Sequence, residues 1–359
     1  MLKIIDIYII KKFLGTFFFS ILIIISIAIV FDISEKIDDF IENKAPLSDI
    51  IIRYYLNFVP YFANLFSSLF IFISVIFFTS KMAYNTEIIA ILSSGISFRR
   101  LMYPYFISAF ILAILSFFLS NYIIPDANKI RYEFMKKYIF NPEHNNEQNI
   151  HKQIEPGIFI YMENYAAETK TGYKFSIEKF TNKTLVSKLL ADNVIWDSVK
   201  NKWHINNYYI RNINKSDETI IKGIAIDTTL NILPSDFTKR IEEVETMNIN
   251  ELNHYIDEQK LQGAENIVTL LVQKYQRLSD PFATFILTLI GVSLAARKIK
   301  GGIGFHIGVG ILLSFSYILF MKVSTNFAIG SSMNALLAVW LPNILYLIIG
   351  IVLYKTIPK

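Results

Sequence analysis

The chain contains no cysteine in its 359 residues, which excludes disulfides, thiol catalysis and Cys-based zinc or iron–sulfur sites. It also lacks a phosphate-binding loop of the G-x-x-x-x-G-K-[ST] type. The glycine cluster Gly301-Gly302-Ile303-Gly304-Phe305-His306-Ile307-Gly308 has no Lys-Ser/Thr pair and opens an apolar stretch. The chain therefore cannot hydrolyse ATP by itself. No G-x-S-x-G elbow and no H-E-x-x-H helix occurs. The five histidines, His144, His151, His204, His254 and His306, are scattered without metal-ligand spacing. Basic residues exceed acidic ones, 35 to 30, but they are dispersed or flank apolar blocks, as membrane topology demands, so nucleic acid is excluded as a partner.

What the chain has in excess is apolar sequence in blocks. Hydrophobic residues make up 53% and aromatics 15%, above the range of a soluble globule, and the sequence reads as a polytopic membrane protein. Phe13 to Phe31 is free of charge and long enough to cross a hydrocarbon core of about 30 Å; no small-residue cleavage site follows, so a retained first span is expected. An acid-rich segment, Asp32 to Asp49, is expected as an external loop. Further spans are placed at about 56–80, with Pro60 as a possible break, and at about 101–124. These make an N-terminal transmembrane half, 1–125.

From 126 to 247 the texture changes. Period-two segments run from Gly157 to Tyr161, Tyr173 to Phe180, Leu185 to Trp196, Lys202 to Arg211 and Thr219 to Thr228. Asp197-Ser198-Val199-Lys200-Asn201 reads as a hairpin turn, with further turns at Asn182-Lys183 and Asn214-Lys215-Ser216-Asp217. The spacing predicts an all-β sandwich or jelly roll. Two connecting helices follow over 248–277. The first has Asn248 or Asn250 as N-cap, Glu251 in its first turn and Gly263 at its end. The second starts near Glu265, reaches Arg277 and continues past Asp280-Pro281 into the fourth span. The C-terminal half, 278–359, holds spans at about 278–296, 302–322 and 333–354.

Charge orients these spans. Segments placed inside carry Lys3, Lys11, Lys12, Lys81, Arg99, Arg100, Arg297, Lys298, Lys300, Lys355 and Lys359 against only Asp6 and Glu87. This satisfies the positive-inside rule. The expected fold is thus a membrane α-helical bundle of six transmembrane helices, 3 + 3, with an inserted all-β domain on the periplasmic side and both termini in the cytoplasm.

Three groups of residues stand out. Between spans two and three, Asn85 or Thr86 can cap a short helix over 86–95, Glu87 suits its first turn, and Gly95 can end it. Ile88, Ile91 and Leu92 then share one face, which either rests on lipid headgroups or docks to protein; the lack of basic residues before Arg99 favours protein. Lys36, Arg53, Arg131, Lys136, Lys137 and Lys322 fall near the outer interface, as anchors or as contacts for an anionic lipid headgroup. Gly301, Gly304 and Gly308 form a small-residue stripe, either for packing within the chain or for a lateral seam with a partner subunit.

Taken in order, these residues resemble the LptF/LptG (YjgP/YjgQ) permeases of lipopolysaccharide export, in particular shorter LptG-like members of Bacteroidetes type. The resemblance runs through Asp6-Ile7-Tyr8-Ile9, Phe31 to Asp39, Glu87 to Gly95, Leu233-Pro234-Ser235-Asp236-Phe237, Lys274-Tyr275-Gln276-Arg277, Pro281 and the basic-glycine start of the fifth span. It implies a non-catalytic half of a heterodimeric ABC transporter without cofactor. The partners it implies are a paralogous LptF-like permease and a dimer of cytoplasmic LptB-like ATPase. An LptC-like membrane-anchored jelly roll and an LptA-like periplasmic bridge complete the set. It further implies that the short helix couples to the ATPase through Glu87, and that the external domain is a jelly roll with a trough for acyl chains. The resemblance also implies a basic residue at the outer end of the first span. This chain has Asp32 there, with Lys36 one turn on. A rival reading is an envelope mechanotransmission or scaffold protein that moves no lipid. A secondary transporter would want acids or broken helices at mid-membrane, and Asp280-Pro281 lies near a span end.

Overall fold

The computed structural model describes residues 3–139, 148–182, 184–213, 218–237, 244–261, 267–296, 302–330 and 332–357. Several sequence expectations fall outside these residues: the turns at Lys183 and Asn214 to Asp217, His144, Gly263, Glu265, Gly301, and the charges of Arg297, Lys298, Lys300 and Lys359. The chain forms two compact units, one of Met1–Ile139, Glu245–Asn250 and Val268–Lys359, the other of Phe140–Val244 and Glu251–Ile267.

The first unit contains the six helices long and apolar enough to cross a membrane. In chain order these are α1 (Ile4–Glu42), α2 (Leu47–Tyr84), α4 (Phe98–Tyr138), α6 (Ile267–Ala295), α7 (Gly302–Ile329) and α8 (Ala335–Lys355). The short α3 (Glu87–Ser93) links α2 to α4, and α5 (Ile249–Leu261) precedes α6. The helices outrun the predicted spans. At about 1.5 Å per residue, the 39 residues of α1 extend about 58 Å, nearly twice the hydrocarbon thickness. The acid-rich segment expected as a loop is therefore mostly helix. Lys36 pairs with Asp32 one turn away, nothing breaks the ladder before Pro46, and the chain turns only at Asn43 to Pro46, where Lys44 takes φ +51°.

Likewise α4 continues through Pro125 to Tyr138, past the predicted start of the β-domain. Wider π-helical turns at Ile50–Tyr55 and Leu119–Ile123 stand upstream of Pro60 and Pro125, each of which removes a bond from the i→i−4 ladder, whereas Pro104, Pro281 and Pro342 stand inside helices without such a turn among the described residues. The helix runs unbroken through Pro60. Asn248 caps α5 by accepting the Asn250 amide at 3.0 Å, and α6 is continuous past Pro281.

Helix α2 is shared by two cores. Ile71, Val75, Phe78 and Met82 pack with Ile9, Phe13 and Phe17 of α1 and with Leu101, Met102 and Tyr105 of α4. Phe72 and Ile76 pack with Ala283, Leu287 and Ile290 of α6, Tyr317 of α7 and Tyr346 of α8. Lipid tails are as apolar as leucine, so close packing and interhelical hydrogen bonds carry such contacts. Thr79 and Tyr105 hydroxyls meet at 3.0 Å, Tyr317 donates to Asn343 at 2.9 Å, and Ser324 donates to the Ala338 carbonyl at 2.6 Å. A side chain at Gly291 would meet Val75 at 2.9 Å, and one at Gly310 would meet Ile76 at 2.3 Å.

The second unit contains a six-stranded antiparallel sheet in the order β1 to β6: Gln148–Glu155, Ile158–Ala166, Thr171–Thr181, Thr184–Asp197, Lys202–Ile213 and Glu218–Thr228. The five period-two segments are β2 to β6. Strand β1, QNIHKQIE, is too polar to announce itself and is fixed by its register, Ile150 opposite Met162. Asp197 accepts the amides of Val199 and Lys200 at 2.8 and 3.1 Å, which makes the β4–β5 turn. The described strands form a single meander; the crossings between two sheets that a jelly roll adds are not among them. One face buries Ile160, Met162, Phe175, Val194, Ile205 and Trp203, whose indole N–H donates to the Ile232 carbonyl at 2.8 Å.

Replacing Gly291 with Leu is expected to lower the thermal unfolding midpoint of the detergent-solubilised protein, at a cost of about 1–3 kcal/mol for overpacking. Gly308→Leu, where an added Cβ meets nothing within 4 Å, is expected to leave that midpoint in place. Equal midpoints for the two variants would show that α2 and α6 are not in close contact.

Candidate functional site

The short helix between spans is formed as the sequence predicts but capped differently. Thr86 stands at the N-cap in the left-handed region, φ +63°, and its side chain makes no capping bond. At the other end Gly95 takes φ +87° and donates to the Leu92 carbonyl at 3.0 Å, the closing turn that favours glycine. Ile88 is 1% exposed and sits in the core with Phe98, Leu101 and Met82, while Ile91 and Leu92 pack partly buried against it. The shared apolar face is thus turned into the protein. The outward face carries Ala90, Ser93 and Ile89, the last 49% exposed.

Glu87 is held from two directions: the Tyr8 hydroxyl of α1 donates to its Oε2 at 3.1 Å, and the Asn85 amide donates to Oε1 at 3.3 Å. Beside it, Arg100 in the first turn of α4 makes a two-pronged pair with Asp6, at 2.7 and 2.6 Å. The Lys3 amide adds a third bond to Asp6 at 2.8 Å. Asp6 is 1% exposed; a carboxylate so desolvated requires this pairing. The start of α1, helix α3 and the start of α4 are therefore tied together by Tyr8–Glu87 and Asp6–Arg100. Sequence reasoning passed over Asp6, Tyr8 and Arg100 as site residues. The available signal was that Asp6 and Glu87 are the only acids in the basic segments at this end.

At the opposite end of the bundle the cations differ from one another. The Lys36 ammonium lies 2.6 Å from Asp32 and also donates to the Tyr54 hydroxyl, and Tyr55 donates to the second Asp32 oxygen at 3.1 Å. Asp32 and Lys36 thus form one neutral cluster on a wall of Phe40, Tyr54, Tyr55, Phe134 and Tyr138. Arg131 stacks over Tyr61, 5.1 Å from the ring centre, and Lys137 over Tyr138 at 4.7 Å. Arg53 lies 3.8 Å from Asp49. Lys136 and Lys322 are exposed and form no ion pair among the described residues. Gly304 and Gly308 face away from the bundle with open space around them, so packing within the chain does not account for them. Gly301 lies outside the described residues.

In the β-unit, one face of the sheet borders a cavity of about 480 Å³ lined by Ile177, Leu189, Ile205, Ile210, Ile221 and Ile226 together with the polar Glu155, Lys179, Ser187 and Asn212. Strand β6 is an edge, paired among the described residues only with β5, and Ile224 on it is 84% exposed. Near its end the His204 ring and the Asp227 carboxylate share a 2.5 Å hydrogen bond, and Lys200 lies 3.2 Å away. The His204 bond first, then that of Lys200, holds the Asp227 carboxyl below its usual range.

With this geometry in hand, comparison with known families finds one that matches residues 7–356, described as lipopolysaccharide export system permease LptF/LptG. No curated protein matches the chain.

Arg100→Gln leaves the Asp6 carboxylate buried without its partner. It is expected to lower the thermal unfolding midpoint, by less than loss of a fully buried pair would because the guanidinium is partly solvated. The companion Asp6→Asn, Arg100→Gln double variant is expected to recover part of that loss in thermal unfolding. A double variant no more stable than the single one would argue against the pair.

Proposed function

The chain belongs to the LptF/LptG family of lipopolysaccharide export permeases, and from that premise we propose how it works: as one permease subunit of an ABC transporter that extracts lipopolysaccharide from the inner membrane and delivers it to a periplasmic β-jelly-roll bridge. Family membership makes it a non-catalytic transporter subunit with several membrane spans. The α3 end faces the cytoplasm in this reading, supported by the excess of Lys and Arg there, and the β-unit lies in the periplasm.

The observation that carries the reading is the double tie at α3. A dimer of LptB-like ATPase docks on the outward face around Glu87, Ile89 and Ala90. Ile88, Ile91, Leu92 and the Gly95 turn fix that helix to the core. Nucleotide-driven movement of the docked ATPase then shifts α3, and Tyr8–Glu87 with Asp6–Arg100 passes the displacement to α1 and α4 rather than into a slack loop. A paralogous LptF-like permease closes the other side of a vestibule, which puts this chain in the LptG-like role. Its seam runs along Gly304 and Gly308, continued towards Gly301, whose bare backbone allows close approach.

Lipid enters at the outer end of that vestibule. Arg131, Lys136 and Lys322 are the cations for its phosphates. Lys36 is neutralised by Asp32, and Arg53 pairs with Asp49, so both contribute less. Acyl chains pass along the isoleucine- and leucine-bearing face of the sheet. An open edge such as β6 suits strand addition by an LptC-like jelly roll, with an LptA-like bridge beyond it.

Glu87→Ala is expected to leave the permease folded and cut ATPase-coupled lipid release by tenfold or more, on the order of one lost charge-assisted hydrogen bond; unchanged release in reconstituted vesicles would remove Glu87 from coupling. Photo-crosslinking side chains at Ile177 or Leu189 are expected to capture lipopolysaccharide only when ATP is supplied, whereas positions on the other face, Lys188 or His204, capture none. Capture of protein alone at the inner positions would favour a scaffold that moves no lipid.

A further inference from the structure

Adjacent arginines open α4, and the structure treats them differently. Arg100 is consumed by Asp6. Arg99 is exposed and forms no ion pair or hydrogen bond among the described residues. Arg99 instead borders a groove of about 380 Å³ and is the only charged residue among the described ones that line it. Met102, Tyr103 and Phe106 of α4 form one wall, Leu289 of α6 the floor, and Ile351 with Tyr354 of α8 the other wall. Tyr354 is braced by Phe98, ring centres 5.9 Å apart, and Phe106 by Phe285 at 6.5 Å. The groove is therefore a built surface and not a gap between mobile side chains.

Its chemistry is one-sided. Arg99 to Phe106 spans two helical turns, about 10 Å, so a cation at one end is followed by a strip of aromatic and aliphatic surface running into the apolar part of the bundle. That is the pattern of a phosphate followed by an acyl chain, since a guanidinium binds phosphate oxygens through paired donors. Basic pockets between helices on the cytoplasmic side are known to accept such headgroups. An apolar peptide would leave Arg99 unpaired, and a soluble phosphate would leave the groove empty.

We propose that the groove between α4, α6 and α8 is a binding site for an anionic phospholipid of the cytoplasmic leaflet, held by Arg99 at its phosphate and by Tyr103, Phe106 and Ile351 along one acyl chain. The leaflet rests on the orientation given under the proposed function; the site itself does not. It is distinct from the cargo path, whose cations are at the other end of the bundle. A lipid seated here packs against the start of α4, one residue from the Asp6–Arg100 tie, so its presence bears on how firmly α3 is held.

The test uses the full chain, reconstituted with equimolar phosphatidylglycerol and phosphatidylethanolamine, extracted, partly delipidated and weighed by native mass spectrometry. Wild type is expected to retain the anionic lipid about tenfold over the zwitterionic one, the ratio that one charge-assisted contact provides. Arg99→Gln is expected to bring the ratio to about one, and Arg99→Lys to keep a severalfold preference. Ile351→Trp, which fills the groove and leaves Arg99 in place, is expected to abolish retention, and it decides the matter if Arg99→Gln fails to fold. Equal retention of both lipids by wild type, an unchanged ratio in Arg99→Gln, or displacement of the lipid by inorganic phosphate would each overturn the proposal. So would a crosslinker at Tyr103 that captures protein and no lipid. The orientation is read separately: a single cysteine at Ser94, in a chain that has none of its own, should react with an impermeant maleimide only after the membrane is opened. Reaction from outside would reverse the leaflet and leave the lipid site standing.

Discussion

Inside a bilayer no water is available to satisfy a stray amide or carboxylate, so leaving one without a partner in the chain is costly. Much of this structure follows from that. The helices run unbroken well past the hydrocarbon, and Pro60 and Pro125 are preceded by widened turns while the backbone stays helical. Side-chain hydroxyls and amides pair across helices, as Tyr317 does with Asn343. At the membrane surface the same constraint fixes Asp6, whose burial would be prohibitive without the Arg100 fork and the Lys3 amide. Satisfying that one carboxylate also ties the start of α1 to the start of α4, beside the Tyr8–Glu87 bond that holds the helix between spans two and three.

How much of this could be read beforehand depends on the range of the interactions. Spans are legible because apolar composition over some twenty residues is a local property, and strands β2 to β6 because their alternation is. The ends of the helices are not. Asp32 to Glu42 looks like a charged loop until Lys36 is seen to neutralise Asp32 and continue the ladder. Strand β1 carries no alternation strong enough to be noticed, and owes its place to β2. The short helix was legible in position and in its Gly95 stop. Its orientation was not: three apolar residues on one face suggest a surface for a partner, and only the fold shows that Ile88 belongs to the core and Ile89 faces out.

Candidate sites divide along the same line. Residue types point to a chemistry, but whether a cation is free for a ligand depends on what the rest of the chain brings beside it. Lys36 and Arg131 look alike in sequence, yet one is spent on a carboxylate and the other lies on an aromatic ring. The adjacent Arg99 and Arg100 divide in the same way, and the ion pair between Asp6 and Arg100 spans 94 positions. Outward-facing Gly304 and Gly308 show the converse: here the structure removes the internal explanation and leaves the external one.

The length of α1 has a consequence for the membrane itself. A helix of about 58 Å with its charges beyond the apolar window has no loop at the hydrocarbon boundary that a thicker bilayer would have to swallow or a thinner one expose. Both edges of the hydrocarbon therefore fall on continuous helix, and Lys12 and Asp32, the charges that flank Phe13 to Phe31, set how far the bilayer can shift along it. Within that limit a bilayer edge meets backbone whose hydrogen bonds are already made inside the helix, so none of them has to change partner there.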